Sequence, residues 1–415
     1  MSDQVKSASR LLPERPSLRH LKNQARDLLR AGEAESLADA QFKIARMYGF
    51  ASWPKLKAHV ESLHLIGRLK QAIDTDSFEQ VRALMTQNPG LHRAPLGYAK
   101  NGPLTWVAEC RVPYRPPSPE RLAIARWMIE NGSDVHQGGD GPLMRAALNG
   151  DRVPMMELLV SHGANVNADW NGDFPIIFAA CEAVDPVALK WLLNHGANPN
   201  SVKRPQSPGA QSWTFQPGRQ ITALDYLIGT YVRSPDLGSC IDLLRAAGGT
   251  TRYDLPGVLD ILCGRLEGLA ERLDSDPYLV NSRFPELDCG STGARRLLLQ
   301  GATLLHVAAE YGNLEAARLL LDHGALVNAP AAVDEAGVGG QTPIFHSVTQ
   351  FGDLGLPVTR LLLERGADLS GRAKLPGHYE RPDELVECTP LGYALRFPGG
   401  EGNTVKLLRA AGGVE

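Results

Sequence analysis

Residues 300–329 read QGATLLHVAAEYGNLEAARLLLDHGALVNA, a pattern that predicts two short helices joined by a turn. Thr303 begins the first helix, whose Val-Ala-Ala core is small enough to let a neighbouring helix approach closely. Gly312 breaks that helix, and three leucines at 319–321 form the buried ridge of the second. Gly324 ends the second helix, because glycine readily adopts the left-handed conformation needed there. The stretch is therefore one helix–turn–helix unit.

A unit of this size is too small to bury its own apolar face, so copies of it are expected. Two copies precede it, each with a proline-led first helix and a closing His-Gly-Ala-Asn. Pro142 and Pro175 are 33 positions apart, and Gly163 and Gly196 have the same separation. The agreement of two separate landmarks indicates a true repeat. Weaker copies begin at four further positions, Pro103, Thr222, Thr342 and Thr389.

The repeated unit resembles the ankyrin repeat, whose T-P-L-H-x-A signature recurs about every 33 residues. Residues 303–308 match this signature with Leu304 in place of the usual proline. The resemblance implies an all-α solenoid of stacked helix pairs. It also implies that the turns between repeats project as fingers beside a concave helical groove, and that the protein binds another macromolecule.

Two closures of identical sequence, LLRAAGG at 243–249 and at 407–413, suggest two arrays of repeats in one chain. We expect the first array to cover residues 65–251 and the second to cover residues 252–415. Each opens with a degenerate repeat, as is common where the end of an array meets solvent or a different neighbour. The sequence leaves open whether the two arrays form one continuous stack.

Residues 1–64 are expected to form a separate module of three helices. Ser17, Ser36 and Ser52 each precede an amphipathic stretch and are placed as N-caps. The segment 37–60 resembles the leader found ahead of ankyrin repeats in some bacterial proteins, a resemblance that brings no activity with it.

Composition favours a folded chain in a reducing compartment. Of 415 residues, 43% are hydrophobic and 21% are charged, which is typical of globular proteins. No apolar run reaches eighteen residues, so no membrane span is expected. The cysteines occur singly, which predicts free thiols and a cytoplasmic location rather than a disulfide framework. They are Cys110, Cys181, Cys240, Cys263, Cys289 and Cys388.

A DNA-binding role for the N-terminal module is an alternative that the sequence leaves open. Residues 1–64 carry eleven Lys/Arg against seven Asp/Glu, and the segment around Gly49 loosely resembles a helix-turn-helix motif. The helix after Gly49 begins Ser-Trp-Pro and offers Lys55 and Lys57, which suit phosphates better than base edges. The sequence therefore favours a protein over a nucleic acid as the partner.

The candidate binding residues lie in insertions between repeats, where one edge of the solenoid is enlarged. Loops on a rigid scaffold often carry binding function, and aromatic residues and arginine dominate interface hot spots. An alternative for each aromatic is that it only pins its own loop to the stack. The predicted contact residues are Trp213, Phe215, Arg219, Arg283, Phe284, Arg372, Tyr379 and Arg381.

Catalytic and metal-binding patterns are weak. His162, His195 and His323 each precede Gly-Ala at a helix end, where the ring can bond the last carbonyls, and His306 occupies the signature position. The acidic segment around His378 matches no familiar zinc spacing. No nucleophile elbow, phosphate-binding loop or zinc-protease helix occurs. We therefore predict neither cofactor nor metal.

The sequence thus predicts a non-enzymatic scaffold that binds another protein through the concave groove and extended finger loops. The alternatives are a DNA-binding regulator and an enzyme with a site in the finger groove. The identity of the partner and the oligomeric state are not readable from the sequence.

Overall fold

A computed structural model describes most of the chain. The described residues are 10–13, 16–96, 101–110, 116–203, 220–230, 232–284, 301–376, 384–396 and 402–415. They confirm the predicted all-α class, with helices in successive pairs and only short strands between them. The chain divides into two compact units, Met1–Asp134 and Val135–Glu415. None of the described helices combines the length and apolar character that crossing a bilayer requires.

The first unit begins with the predicted helical module. The hydroxyls of Ser17, Ser36 and Ser52 accept hydrogen bonds from backbone N–H groups and cap three helices, as predicted. The third of these helices continues through residue 64, and its C-terminal part packs against the fourth helix. The helices of this unit are α1 Leu18–Arg30, α2 Leu37–Met47, α3 Trp53–Asp74, α4 Phe78–Gln87, α5 Pro103–Glu109 and α6 Pro119–Glu130.

The described part of the second unit contains seven helix pairs. In each pair a first, inner helix is followed by an outer helix, and inner helices stack on inner helices. The pairs are α7 Gln137–Ala146 with α8 Val153–Ser161, α9 Ile177–Ala183 with α10 Pro186–Asn194, α11 Ala223–Gly229 with α12 Leu237–Ala246, α13 Val258–Leu262 with α14 Leu266–Ser275, α15 Leu304–Glu310 with α16 Leu314–Asp322, α17 Pro343–Ser347 with α18 Leu356–Glu364, and α19 Pro390–Ala394 with α20 Asn403–Ala410.

Threonine marks the start of an inner helix, as the repeat pattern predicted. Thr222, Thr303, Thr342 and Thr389 are the N-cap residues of α11, α15, α17 and α19, all in extended conformation. In that conformation the threonine ends the preceding finger and begins the helix. The repeat starts read from the sequence are therefore confirmed at these four positions.

The turns between repeats contain short antiparallel pairs that form the bases of the fingers. The strands are β1 Asp169–Trp170 with β2 Phe174–Pro175, β3 Val202–Lys203 with β4 Ile221–Thr222, and β5 Ala373–Pro376 with β6 Leu385–Cys388. Isolated bridges join Phe284 to Ala302 and Val333 to Gly339, and a further bridge joins Gly339 to Lys374. Fingers of successive repeats are thereby connected.

Asparagine side chains tie several finger turns to the turn of the next repeat. The Asn167 side chain donates from Nδ2 to the Gly196 carbonyl at 2.9 Å and accepts at Oδ1 from the Asn198 N–H at 2.7 Å. This two-way bond satisfies a helix-terminal carbonyl that no intrahelical partner reaches. The same arrangement is made by Asn200, Asn281 and Asn328.

A buried ion pair spans the degenerate repeat α13–α14. The Arg233 guanidinium, in the segment between α11 and α12, donates to Glu310 Oε1 at 2.7 Å and to the Thr230 carbonyl. The Glu310 side chain is 1% exposed and also contacts His346 Nδ1 at 3.0 Å. Tyr311 donates its hydroxyl to the Ile228 carbonyl at 2.6 Å. Repeats on either side of α13 are therefore in direct contact within this unit.

Core leucines should dominate stability. We expect Leu192→Ala and Leu320→Ala each to lower the free energy of unfolding by about 2–5 kcal/mol, because truncation leaves a cavity. Both leucines are 0% exposed. The matched control Leu326→Ala alters a side chain that is 61% exposed and should change stability by less than about 0.5 kcal/mol. Urea unfolding followed by circular dichroism measures this. Equal losses at all three positions would contradict the assigned core.

Removing the Arg233 guanidinium should lower the free energy of unfolding by more than its own contacts contribute, because Glu310 would remain buried without this cation. We expect Arg233→Met to destabilise the protein by about 3–5 kcal/mol, and the added change Glu310→Gln to recover part of the loss. The matched control is Arg365→Met, which breaks the exposed pair with Asp322 and should cost less than about 1 kcal/mol. Urea midpoints of the four proteins test this. An Arg233 effect no larger than that of Arg365 would refute the buried pair.

Candidate functional site

A tight hairpin positions the first residues of the site. Within residues 169–175, DWNGDFP, Asn171 and Gly172 adopt positive φ angles of 54° and 79°. Asparagine and glycine are the residues that most readily adopt positive φ, so this pair suits the three-residue turn between the strands. The turn places Trp170 directly opposite Phe174 on the paired strands.

Four aromatic rings meet where this hairpin contacts the inner helices. The Trp170 and Phe174 ring centroids are 6.1 Å apart with planes at 87°, an edge-to-face arrangement. Phe174 also contacts Phe178 of α9 and Tyr226 of α11, each at 5.9 Å. Phe178 and Tyr226 lie 4.7 Å apart. The rings thus connect one finger to two successive inner helices.

Two cations lie against these rings. The Arg145 guanidinium, on α7, is 5.8 Å from the Trp170 ring, and Lys203 Nζ, on β3, is 5.4 Å from the Phe174 ring. Arg145, Lys203 and Trp170 are half-buried, so each keeps surface in reach of solvent. We call Trp170, Phe174, Phe178, Tyr226, Arg145 and Lys203 together the groove cluster.

One carboxylate completes the polar contacts of the groove cluster. Glu182 Oε2 accepts the hydroxyl of Tyr226 at 2.9 Å, and the Glu182 carbonyl accepts the hydroxyl of Thr230 at 3.0 Å. The tyrosine is therefore held at both its ring and its polar end. Rigid aromatic side chains of this kind lose little conformational entropy when a partner covers them.

Comparison with known proteins assigns the repeats. The family model described as ankyrin repeats (three copies) matches residues 119–203 and 277–373. The chain contains ankyrin repeats. The groove cluster therefore lies at the junction of the ankyrin fingers with the inner helices, and most of its residues fall in the first of these two matched regions.

Among solved structures, the ankyrin repeat domain of human ASB11 is similar at 21% sequence identity. The match covers 66% of this chain and 99% of that one, with a TM-score of 0.31. No curated protein matches the chain.

Of the eight contact residues predicted from the sequence, three are described. Arg283 and Arg372 are exposed, and Arg372 donates to the Glu415 carbonyl at 3.4 Å. Phe284 is only 7% exposed, and its backbone pairs with that of Ala302, which fits the alternative of a residue that pins its own loop. The other five lie outside the described residues: Trp213, Phe215, Arg219, Tyr379 and Arg381.

The groove cluster was missed by sequence reasoning that looked for insertions. Trp170 and Phe174 lie in a finger of ordinary length, and Tyr226 and Arg145 lie inside repeats. A local signal was present in the Asn-Gly pair flanked by aromatic residues, which predicts a hairpin. The sequence held no signal for the approach of Lys203, because that residue comes from the next finger.

Fingers of the last repeats add exposed apolar side chains to the same edge of the ankyrin stack. Gly339 N donates to the Lys374 carbonyl at 2.9 Å, and Lys374 Nζ donates to the Ala336 carbonyl at 3.0 Å. Around this connection Leu326, Val333 and Leu385 are 61%, 60% and 46% exposed. Scattered apolar residues on a surface are ordinary, but three on adjacent fingers extend one surface.

The histidines predicted from the sequence to be structural make hydrogen bonds within and between the repeats. In His162, His195 and His323 the Nδ1 atom lies 2.8 Å from the carbonyl four residues earlier. His306 is fully buried, and its Nδ1 accepts from the Thr303 N–H at 3.1 Å while Nε2 donates to the Gln341 carbonyl at 3.1 Å. Burial, and after it the neighbouring His346, lower the pKa of His306 to about 3.

The alternative sites gain no support from the described residues. Lys55 and Lys57 lie on α3, where Lys57 pairs with Glu61 at 3.6 Å. Across the described ranges, no three His, Cys, Asp or Glu side chains are grouped as ligands for a metal ion. Of the acidic segment considered around His378, residues 378–383 lie outside the described ranges.

Acid should weaken the ankyrin stack partly through His306. Its pKa is about 3 in the folded protein and 6.5 as the reference value, so the unfolded chain takes up the proton first. This contribution to stability is complete above pH 6.5 and is lost as the pH falls toward 3, by roughly 1 kcal/mol per pH unit.

We expect His306→Gln to be less stable at pH 7 and to lose less further stability between pH 7 and pH 5 than the wild type. Urea midpoints at pH 7, 6 and 5 measure this difference. Parallel pH dependence in the two proteins would show that His306 is not held neutral.

Proposed function

We propose that this protein is a non-catalytic scaffold that binds a segment of another protein in the concave groove between its inner helices and its fingers. Ankyrin repeats generally serve as protein–protein interaction modules, and a protein partner follows from that family property. The observation that carries the finer proposal is the groove cluster, in which half-buried Arg145 lies against the half-buried Trp170 ring and half-buried Lys203 lies against the neighbouring Phe174 ring.

The chemistry of the groove cluster fits an anchor point. Tryptophan, tyrosine and arginine are the residue types over-represented among interface hot spots, and such hot spots lie beside rigid, packed neighbours. Trp170 satisfies this condition because Phe174 packs against it edge to face and is itself buried. A partner side chain that covers Trp170 would bury apolar area without ordering a mobile loop.

The partner would extend from this anchor along the finger edge. Arg283, Arg372 and the exposed apolar residues of the last fingers are the described groups that it would meet. The predicted residues Trp213, Phe215, Arg219, Tyr379 and Arg381 belong to the same proposed edge. An elongated contact of this kind suits an extended segment or a helix of the partner better than a small globular domain.

We also propose a reducing, cytoplasmic location. Among the described residues, Cys181, Cys240, Cys263 and Cys388 are free thiols. Cys110, Cys181, Cys240 and Cys388 are buried inside the repeats, where they act as small apolar residues. Isolated buried thiols are typical of proteins that work where disulfides are kept reduced.

Affinity capture from a lysate of the source cells, analysed by mass spectrometry, tests the binding proposal. The groove variant combines Trp170→Ala with Lys203→Ala, and a finger variant combines Trp213→Ala with Phe215→Ala. The matched control is Trp191→Ala, on outer helix α10, where the ring stacks on His195 at 3.8 Å, away from the groove cluster. We expect the partner to be captured by the wild type and the control but lost from the groove variant.

Three results would overturn the proposal. Equal capture by the wild type and both multiple variants would show that the fingers and groove are not the binding surface. Loss from the Trp191 control as well would trace the effect to folding. Recovery of nucleic acid alone, sensitive to nuclease, would move binding to the basic module of residues 1–64. Circular dichroism of each variant provides the folding control.

A further inference from the structure

A second concave site lies on the opposite edge of the repeats. A cavity of about 280 Å³ is lined by segments that connect an inner helix to its outer helix, and by the helix ends beside them. These are the segments after α11, α13, α15 and α17, represented by Arg233, Cys263, Tyr311 and Gln350. The fingers follow the outer helices and therefore leave the stack at the other edge. The cavity is thus separate from the groove cluster.

The cavity lies beside the end of helix α13. Helix α13 has five residues, as do α17 and α19, whereas α9, α11 and α15 have seven. At the end of α13, Gly264, with φ of +67°, would direct a Cβ into a region with no atom within 4 Å.

The walls of the cavity are firmly held. Leu237 and Leu262 are each 6% exposed, and a Cβ on Gly238 would lie 2.9 Å from the Cα of Cys263, so these segments pack without slack. On the other side, Asn313 Nδ2 donates to the Ile261 carbonyl at 2.9 Å. The Arg233 guanidinium lies 4.5 Å from the centre of the Tyr311 ring. The site is therefore largely formed before any ligand arrives.

Charge and size restrict what could occupy the cavity. Among the described lining residues, Arg233 alone carries a full charge at neutral pH, and Glu310 already compensates it at 2.7 Å. A charged ligand would lose its hydration without gaining a counter-ion. A cavity of about 150 Å³ holds benzene, so this larger one has room for a substituted ring.

We propose that this cavity, the turn-edge cavity, binds a compact uncharged small molecule with one ring and a polar substituent. The ring would contact Leu237, Leu262 and the Tyr311 face, and the substituent would reach the polar rim near Ser234 and Gln350. This proposal is independent of protein binding at the finger edge. A contact between neighbouring repeats, like an interface between domains, is a common place for a small-ligand site.

The test uses three probes of nearly equal shape and different charge: benzyl alcohol, benzoate and benzylammonium. Cys263 lines the cavity and is half-buried, so its alkylation by iodoacetamide, resolved by peptide mass spectrometry, reports occupancy. Burial raises the pKa of this thiol to about 11, so labelling is run at alkaline pH. We expect benzyl alcohol, at ten times its Kd, to slow Cys263 labelling about tenfold by mass action. The charged probes should have little effect.

Ser234→Phe should fill the cavity and abolish this protection, while Ser239→Phe, at an exposed position of α12 outside the cavity, should leave it unchanged. Equal or stronger protection by benzoate or benzylammonium would overturn the charge argument, and this comparison needs only the wild type. Protection that survives in folded Ser234→Phe would show that the probe binds adventitiously and not in the cavity. Protection by a captured protein, and by none of the probes, would assign the cavity to a partner side chain instead.

Discussion

Each helix pair of this protein can bury its apolar face only against the pair before it and the pair after it. That constraint explains why alanines crowd the inner helices: in α15, Ala308 and Ala309 are 0% exposed, and their small side chains let α13 and α17 approach from both sides. Stability is then close to a sum of neighbour interfaces, and a weak repeat must be supported by its neighbours. The asparagine hydrogen bonds at the finger turns likewise join neighbouring repeats.

The degenerate repeat α13–α14 shows what happens when one interface is reduced. Its short inner helix contributes less apolar surface, and the flanking repeats make direct contact through Arg233, Glu310 and Tyr311. A buried ion pair contributes little net stability, but removing either partner is strongly destabilising because the other charge is left buried and uncompensated. The turn-edge cavity lies beside this same repeat, where Arg233 and Tyr311 belong both to the contact across α13 and to the cavity wall.

The repeat protein therefore presents two edges of different character. The finger edge is formed by short two-stranded hairpins, with a Gly339–Lys374 bridge between two of the fingers, and it bears the groove cluster and exposed apolar residues. The turn edge consists of short connections held close to the helices. Its cavity is small, and the charge of Arg233 in its wall is compensated by Glu310. Loops on a rigid stack can vary without disturbing the core, which is why both edges are free to carry function.

Sequence alone determined the helix pairs, their period, the capping threonines and serines, and the structural histidines, because each depends on residues within one or two turns of each other. Tertiary structure alone decided which residues share a site. Trp170, Tyr226 and Lys203 meet because β1, α11 and β3 belong to adjacent repeats, and Arg233 reaches Glu310 across 77 positions. Side chains so far apart in sequence leave no periodic signal, since their contact is set by how successive repeats stack rather than by any local preference.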